Sequence, residues 1–181
     1  MGMEKQAVWL KDLFDIFPKE RVLTDLADRH AYSFDASLGE YLPVAVVQPQ
    51  SKEQIQRLVR LANSHRIPLY PRGSASSLSG GPLPVYGGVV VDMSAYPKRL
   101  TIDPENMLAI ATPSVITAEL HRKAEEAGLF YPPDPSSSSV STLGGNLMEN
   151  AGGPKGLKYG TTKDYVIGLE VVTPTGEIIR T

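Results

Sequence analysis

Apolar residues recur at helical spacing over residues 4–17, where Trp9, Leu10, Leu13, Phe14 and Phe17 share one face and Pro18 stops the run, which predicts an amphipathic packing helix. Arg29–Ser37 (RHAYSFDAS) shows no period and predicts irregular chain. The apolar run Ala45–Val47 predicts a short buried strand leading into Pro49. Ser51 and Gln54 form an S-x-x-Q capping box ahead of Ile55, Leu58, Val59 and Ala62 on one face, which predicts a helix over 52–65. Ile67–Tyr70 predicts a strand stopped by Pro71, and Gly88–Asp92 (GVVVD) predicts a third strand. A strand–helix–strand crossover of this kind builds a parallel sheet.

Further along, Leu100–Ile102 and Met107–Ala111 predict two short strands around the turn DPEN. Thr117 opens a helix carrying Leu120, Ala124 and Ala127, with Gly128 where a C′ glycine belongs. Gly168–Val172 and Glu177–Ile179 flank Pro174–Gly176 and predict a hairpin. Between them, residues 132–166 read as a long ordered loop, anchored by Leu143, Leu147, Met148, Leu157 and Tyr159.

Composition narrows the chemistry. The chain has 181 residues, 41% of them hydrophobic, enough for a real core in one domain or two small lobes. With 18 Lys+Arg against 20 Asp+Glu the formal charge is −2, so there is no basic excess for a nucleic-acid partner. The absence of cysteine excludes disulfides, thiolate nucleophiles and cysteine metal ligation within the chain. His30, His65 and His121 are scattered without ligand spacing, so no metal site is expected. Lys11, Asp12 and Asp15 break the N-terminal apolar run, so it predicts neither a signal peptide nor a membrane span, and a cytoplasmic protein is the expectation.

Eleven of the 16 glycines fall in two segments, Gly73–Gly88 and Gly144–Gly160. The first opens with PRGSASSLSGG (Pro71–Gly81), directly after a predicted strand. Small residues there expose consecutive backbone N–H groups that form a concavity suited to a phosphate or pyrophosphate, and Ser74, Ser76, Ser77 and Ser79 add hydroxyl donors. The plainer reading is a surface loop, and the segment matches neither GxxxxGK(S/T) nor GxGxxG. In the second segment, Gly144-Gly145 and Gly152-Gly153 would let backbone approach a flat or charged ligand, or simply make tight turns.

The succession PRGSASSLSGG, GGVVVDMS, PPDPSSSSVSTLGGNLMENAGGPKGLKYG and VIGLEVVTPTGEI, in this order from about Arg29 to Thr181, resembles the FAD-binding domain of the vanillyl-alcohol-oxidase/p-cresol-methylhydroxylase superfamily. Within it the likeness is greatest to the flavin subunit of glycolate oxidase and to D-lactate dehydrogenases. The resemblance implies an α+β, two-lobed fold with a small parallel-sheet lobe and a larger antiparallel lobe, FAD lying between them. The expected division is an N-terminal helix and lead-in over 1–40, a first FAD-binding lobe over 41–96 and an incomplete second lobe over 97–181.

For the cofactor, the resemblance implies that Pro71, Arg72, Gly73, Ser74, Ala75, Ser76, Gly80 and Gly81 hold the pyrophosphate, largely through backbone amides. Pro133, Asp134, Thr142, Leu143, Gly144, Gly145 and Asn146 would lie along the ribityl chain and isoalloxazine. Asn150, Ala151, Gly152, Gly153, Tyr159 and Gly160 would complete the wall, with Val166 and Gly168 near the adenosine half. Asn146 and Asn150 are the expected polar partners of the flavin ring. Read by themselves, several of these residues have ordinary alternatives. Arg72 either balances the diphosphate or stays in water, Asp134 in a Pro-rich turn caps that turn, and Lys155 and Lys158 are solvated. No residue in the chain is expected to be the catalytic base.

Two departures from the family pattern stand out. Relatives carry glycine where Ala75 and Ser77 stand, so a positive φ there would be strained. The loop also lacks the histidine that links flavin covalently in some relatives, which implies noncovalent FAD. Relatives continue beyond the PTGEII hairpin into a substrate domain, so the chain is expected to be a fragment without it. The implied activity is oxidation of a small 2-hydroxy acid, of glycolate or D-lactate type, by hydride transfer to flavin N5, with an iron–sulfur subunit as electron-accepting partner. The alternatives are a noncatalytic scaffold with weak or no FAD binding, which dimerises through its apolar surface, and a phosphate binder using Gly73–Gly81 alone.

Overall fold

The computed structural model describes the backbone of residues 3–181 and the side chains from Trp9 onward. Helix α1 spans Met3–Ile16, as its periodicity predicts, and buries Trp9 and Leu13, with Phe17 just beyond its end. A 3₁₀ turn at Lys19–Arg21 leads into the two-residue strand β1 (Val22–Leu23), which no pattern in the sequence marks. Helix α2 (Leu26–Ala31) corrects the reading of Arg29–Ser37 as wholly irregular: its first part closes a helix too short to show a period.

Strand β2 (Ala45–Val47) is fully buried. Helix α3 (Lys52–His65) follows, with the Ser51 hydroxyl accepting the Gln54 N–H at its start. The Gln54 side chain closes the box one residue early, accepting from the N–H of Gln50 rather than that of Ser51. Strand β3 (Leu69–Arg72) runs through Pro71 instead of stopping at it, and β4 (Val89–Asp92) is buried along its length. The sheet order β1-β2-β4-β3 explains Pro71, because β3 is an edge strand and an edge strand tolerates a missing N–H. Strand β4 pairs in parallel with both β2 and β3, in the register Val46↔Val90 and Tyr70↔Val90, while β1 pairs antiparallel with β2. The faces of α1 and α3 close over this sheet, with Trp9, Leu13, Phe17, Leu58, Ala62, Val47 and Val89 forming one core.

Strands β5 (Leu100–Asp103) and β6 (Leu108–Ala111) make an antiparallel hairpin as predicted, and helix α4 (Thr117–Glu126) packs nearby, its chain leaving through Gly128 at φ 74°. Residues 132–166 are not one long loop. They contain α5 (Leu143–Glu149), a single turn α6 (Gly156–Tyr159) and a 3₁₀ turn at Thr162–Tyr165. A second, smaller core joins Val115, Leu120 and Leu143, flanked by Leu100, Ile102 and Tyr131.

The final hairpin, β7 (Glu170–Val172) with β8 (Ile178–Arg180), docks on α3 rather than extending another sheet. Gln56 Nε2 and Asn63 Nδ2 donate to the carbonyls of Gly176 and Pro174, each at 2.7 Å, and Lys52 pairs with Glu170 at 2.9 Å. The architecture is thus α+β with a parallel-sheet lobe. Within this chain, the antiparallel part consists of two separate two-stranded hairpins. Among the described residues no helix is long and apolar enough to cross a membrane.

Candidate functional site

The chain leaves the C-terminal end of β3 at Arg72 and enters Gly73–Gly81, the open side of a parallel sheet where ligands of α/β folds gather. Serines and glycines in this stretch cannot bury apolar surface, so the loop takes its shape from polar contacts. Among the described residues, the amides of Ser74, Ala75, Ser76, Ser77, Leu78 and Gly81 donate to no protein acceptor, whereas Ser79 N–H is taken by Ser77 Oγ and Gly80 N–H by Asp35 Oδ2 at 3.1 Å. Six N–H groups without protein acceptors in so short a stretch leave a concentration of donors of the kind that suits an anion.

Ala75 sits at φ 53°, the strained geometry expected where relatives carry glycine, while Ser77 does not take a positive φ. A left-handed alanine costs about 1–2 kcal/mol. The neighbouring groups hold it there. Ser74 Oγ donates to the Val140 carbonyl, and Ser79 Oγ donates to Glu149 Oε2 at 2.8 Å. Glu149 ends α5, so the loop is laced to that helix.

The two glycine-rich segments meet at Gly73. A β-carbon on Gly73 would stand 2.5 Å from Thr142 Oγ1 and 3.8 Å from Gly145 Cα. Thr142 is the N-cap of α5 and accepts the Gly145 N–H at 3.2 Å. The remaining first-turn amides are also used: Leu143 N–H donates to Val115 O at 2.8 Å and Gly144 N–H to Pro113 O at 2.9 Å. Gly144 lies against Pro113 so closely that a β-carbon would approach it to 2.7 Å. These glycines are therefore helical positions, which corrects the reading of Gly144-Gly145 as part of a long ordered loop.

Arg72 is buried. Its guanidinium donates to the Phe34 carbonyl at 2.7 Å and lies 5.4 Å from the Tyr32 ring centroid. Burial lowers its pKa, opposed by Tyr32, Asp92 and Asp35. Tyr32 Oη donates to Asp92 Oδ2 at 2.8 Å, and desolvation together with that carboxylate pushes its pKa up to about 12. The open donors of the loop are therefore backbone amides, while the Arg72 guanidinium is turned to the Phe34 carbonyl and the Tyr32 ring.

The other predicted residues form a second group. Pro133 is buried and its carbonyl meets His121 Nε2 at 2.7 Å. Asp134 donates its N–H to Gly152 O at 2.8 Å and pairs with Lys155 at 3.1 Å, a hydrogen bond that lowers its pKa. Lys155 is exposed, as expected of a solvated lysine, with Asp134 as its surface ion-pair partner and the Phe130 ring 5.3 Å away. Gly153, at φ 124°, touches the Asp134 backbone.

Asn146 is buried and donates to Thr117 Oγ1 at 2.6 Å; Asn150, in the left-handed conformation at the end of α5, accepts the Lys163 N–H at 3.0 Å. Both amides are engaged within the chain. The Ala151 carbonyl takes the Thr162 hydroxyl at 2.7 Å, and Gly160 at φ 85° packs on Asp164. Tyr159 is exposed, edge-on to Phe130 at 5.7 Å, and its carbonyl accepts from Tyr165 Oη at 2.6 Å. Val166 is half-buried, and Gly168 is exposed beside the Thr181 carbonyl. Sequence reasoning missed Asp35 and Glu149 as loop partners. Asp35-x-Ser37 does carry an Asx-turn signature, and the turn is present, Asp35 Oδ1 accepting the Ser37 N–H at 2.8 Å.

Comparison with known proteins converges on one family. The model of the FAD binding domain matches residues 43–181. The chain is 49% identical over 156 residues to the glycolate oxidase subunit GlcD of Bacillus subtilis strain 168, covering 86% of this chain and 33% of that protein. It is 38% identical over 168 residues to a D-lactate dehydrogenase of Anaerostipes hadrus, covering 92% and 35%. It therefore spans about a third of the length of the curated relatives it matches. Among solved structures, p-cresol methylhydroxylase with substrate bound superposes with a TM-score of 0.85 at 25% identity, over 100% of this chain and 36% of that one. A strand-end loop with open amides, laced to a glycine-bearing helix, is thus found in a chain that belongs to the FAD-binding-domain family and has the p-cresol-methylhydroxylase type of fold.

Proposed function

We propose that this chain holds FAD noncovalently and forms the flavin-binding part of a dehydrogenase or oxidase acting on a small 2-hydroxy acid of the glycolate or D-lactate type. One observation carries the reading: the open amides of Ser74–Leu78 and Gly81, at the end of a parallel strand. The residues present fit a dinucleotide pyrophosphate there. The loop offers N–H donors in number, and Gly73 leaves no room for a side chain between the loop and Thr142. The Ser76 hydroxyl adds a donor, and Arg72, at the end of β3, lends a buried positive charge at the start of the loop.

When bound, the flavin supplies the hydride-accepting centre. The chain's own residues bind and orient. Ser74–Leu78 and Gly81 hold the diphosphate, and the Thr142–Asn146 turn, immobilised by Thr117 and Pro113, sets one wall. Asp134, Gly152, Gly153, Tyr159 and Gly160 form the adjoining surface, with Val166 and Gly168 beyond it. Substrate-binding groups are assigned to the part of such proteins outside this chain. An iron–sulfur subunit is the proposed electron acceptor, in keeping with the relative that is itself named a subunit.

The test is an absorbance spectrum of the purified chain followed by FAD titration, read by flavin fluorescence. Saturable binding, lost in Gly81→Val, is the expected result. Gly81 takes no positive φ, so the substitution crowds the loop without backbone strain there. Absence of binding at high FAD, or equal affinity of Gly81→Val, overturns the reading.

A further inference from the structure

The segment Ser33–Tyr41 carries no assigned role, yet it touches both ends of the phosphate loop. At the loop's start, Arg72 donates to the Phe34 carbonyl at 2.7 Å. Near its end, the next residue, Asp35, accepts the Gly80 N–H through Oδ2 at 3.1 Å. Between them, the Ala36 N–H reaches the Ser77 carbonyl at 3.3 Å. Three consecutive residues thus span the loop.

The segment is itself fixed. Tyr41 N–H donates to Ser33 O at 2.7 Å, Phe34 and Glu40 form a β-bridge, and Ser33 Oγ donates to His30 O at 2.8 Å. Asp35 is 8% exposed, and its other oxygen takes both the Ser37 N–H and the Ser37 hydroxyl. Its carboxylate is thereby anchored on one side by its own turn and on the other by the loop. Gly80 has φ 77°, a left-handed conformation open to glycine, and in it the Gly80 amide meets the Asp35 carboxylate.

We propose that Asp35 is a positioning residue for cofactor binding: by capturing the Gly80 amide it holds the Gly73–Gly81 loop with its remaining amides turned outward. It touches no cofactor atom itself. The inference rests on the assignment of the loop as the diphosphate site, but the loop's order is measurable without any ligand.

The experiment is hydrogen exchange of the full chain without FAD, with FAD affinity as a second readout, for Asp35→Ala and Asp35→Asn. Expected for Asp35→Ala is exchange of the Gly80 amide, and of the Ser79 amide beside it, faster by about tenfold with β4 amides unchanged, and FAD affinity weaker by about tenfold, as suits loss of one charge-assisted hydrogen bond. Asparagine has one acceptor oxygen where aspartate has two, so Asp35→Asn satisfies Ser37 or Gly80 but not both and is expected to fall between. If Asp35→Ala does not fold, Asp35→Asn, which keeps the volume, carries the test. Unchanged exchange of the Gly80 and Ser79 amides, or exchange raised equally in β4, overturns the proposal. Wild-type protein that binds no FAD but shows the loop-restricted effect refutes the cofactor assignment and leaves the clamp standing.

Discussion

The Thr142 hydroxyl occupies the space that a side chain on Gly73 would need, 2.5 Å from where the β-carbon would sit. The oxygen cannot simply withdraw, because it caps α5 through the Gly145 N–H. Gly73→Ala is therefore expected to displace Thr142 and lose that cap, costing about 1–2 kcal/mol. Thermal unfolding would show the loss, and FAD titration should show weakened binding beyond what the stability change accounts for.

Ala75 makes the opposite prediction. Its φ of 53° is unfavourable for alanine and ordinary for glycine. Relief of about 1–2 kcal/mol of strain, less about 0.4–1 kcal/mol for the freer unfolded chain, leaves Ala75→Gly more stable by about 0–1.6 kcal/mol, centred near 0.8. A fall in denaturation midpoint for this variant would contradict the conformation described for the loop.

Gly153 and Gly156 form a matched pair. A β-carbon on Gly153 would lie 2.0 Å from the Asp134 carbonyl oxygen, with φ at 124°, whereas one on Gly156 meets nothing within 4 Å. Gly153→Ala is expected to destabilise by about 3 kcal/mol or more and to expose the Lys155 region to protease. Gly156→Ala, at the start of α6, should be neutral or stabilise by about 0.5 kcal/mol.

Tyr32 ties stability to alkaline pH. Its pKa is raised, first by burial and then by Asp92, from 10.0 to about 12. A raised folded-state value means the stabilisation is complete below the unfolded value near 10 and is lost as pH climbs through about 12. Denaturation midpoints measured across that window should fall for the wild type. Tyr32→Phe should start lower, having lost the hydrogen bond to Asp92, and should show a shallower decline; parallel curves would remove Tyr32 from the account.

Much of the fold was legible because its elements carry local signals. The Ser51 cap and the one-sided Ile55–Leu58–Ala62 face mark α3, and the valine runs mark β2 and β4, strands buried on both faces. Glycine and serine crowded behind an apolar run mark Gly73–Gly81 as a loop of accessible backbone. Several of the shortest elements were not legible. Strand β1 exists only because Val22 and Leu23 find β2, and α2 and α5 are too short for a periodic face. Pro71 argues against a strand unless that strand is known to lie at an edge.

The sequence by itself determined the parallel α/β core, the amide-rich loop at the end of β3, and family membership through the order of its motifs. These depend on residue type and spacing along the chain. Tertiary structure alone decided what the polar side chains do. Arg72 is held by the Phe34 carbonyl, Asn146 by Thr117, and Gly80 by Asp35, forty-five residues away in the chain. Such pairings join residues with no periodic relation, and a buried polar group takes whichever partner the packed fold brings within hydrogen-bonding distance.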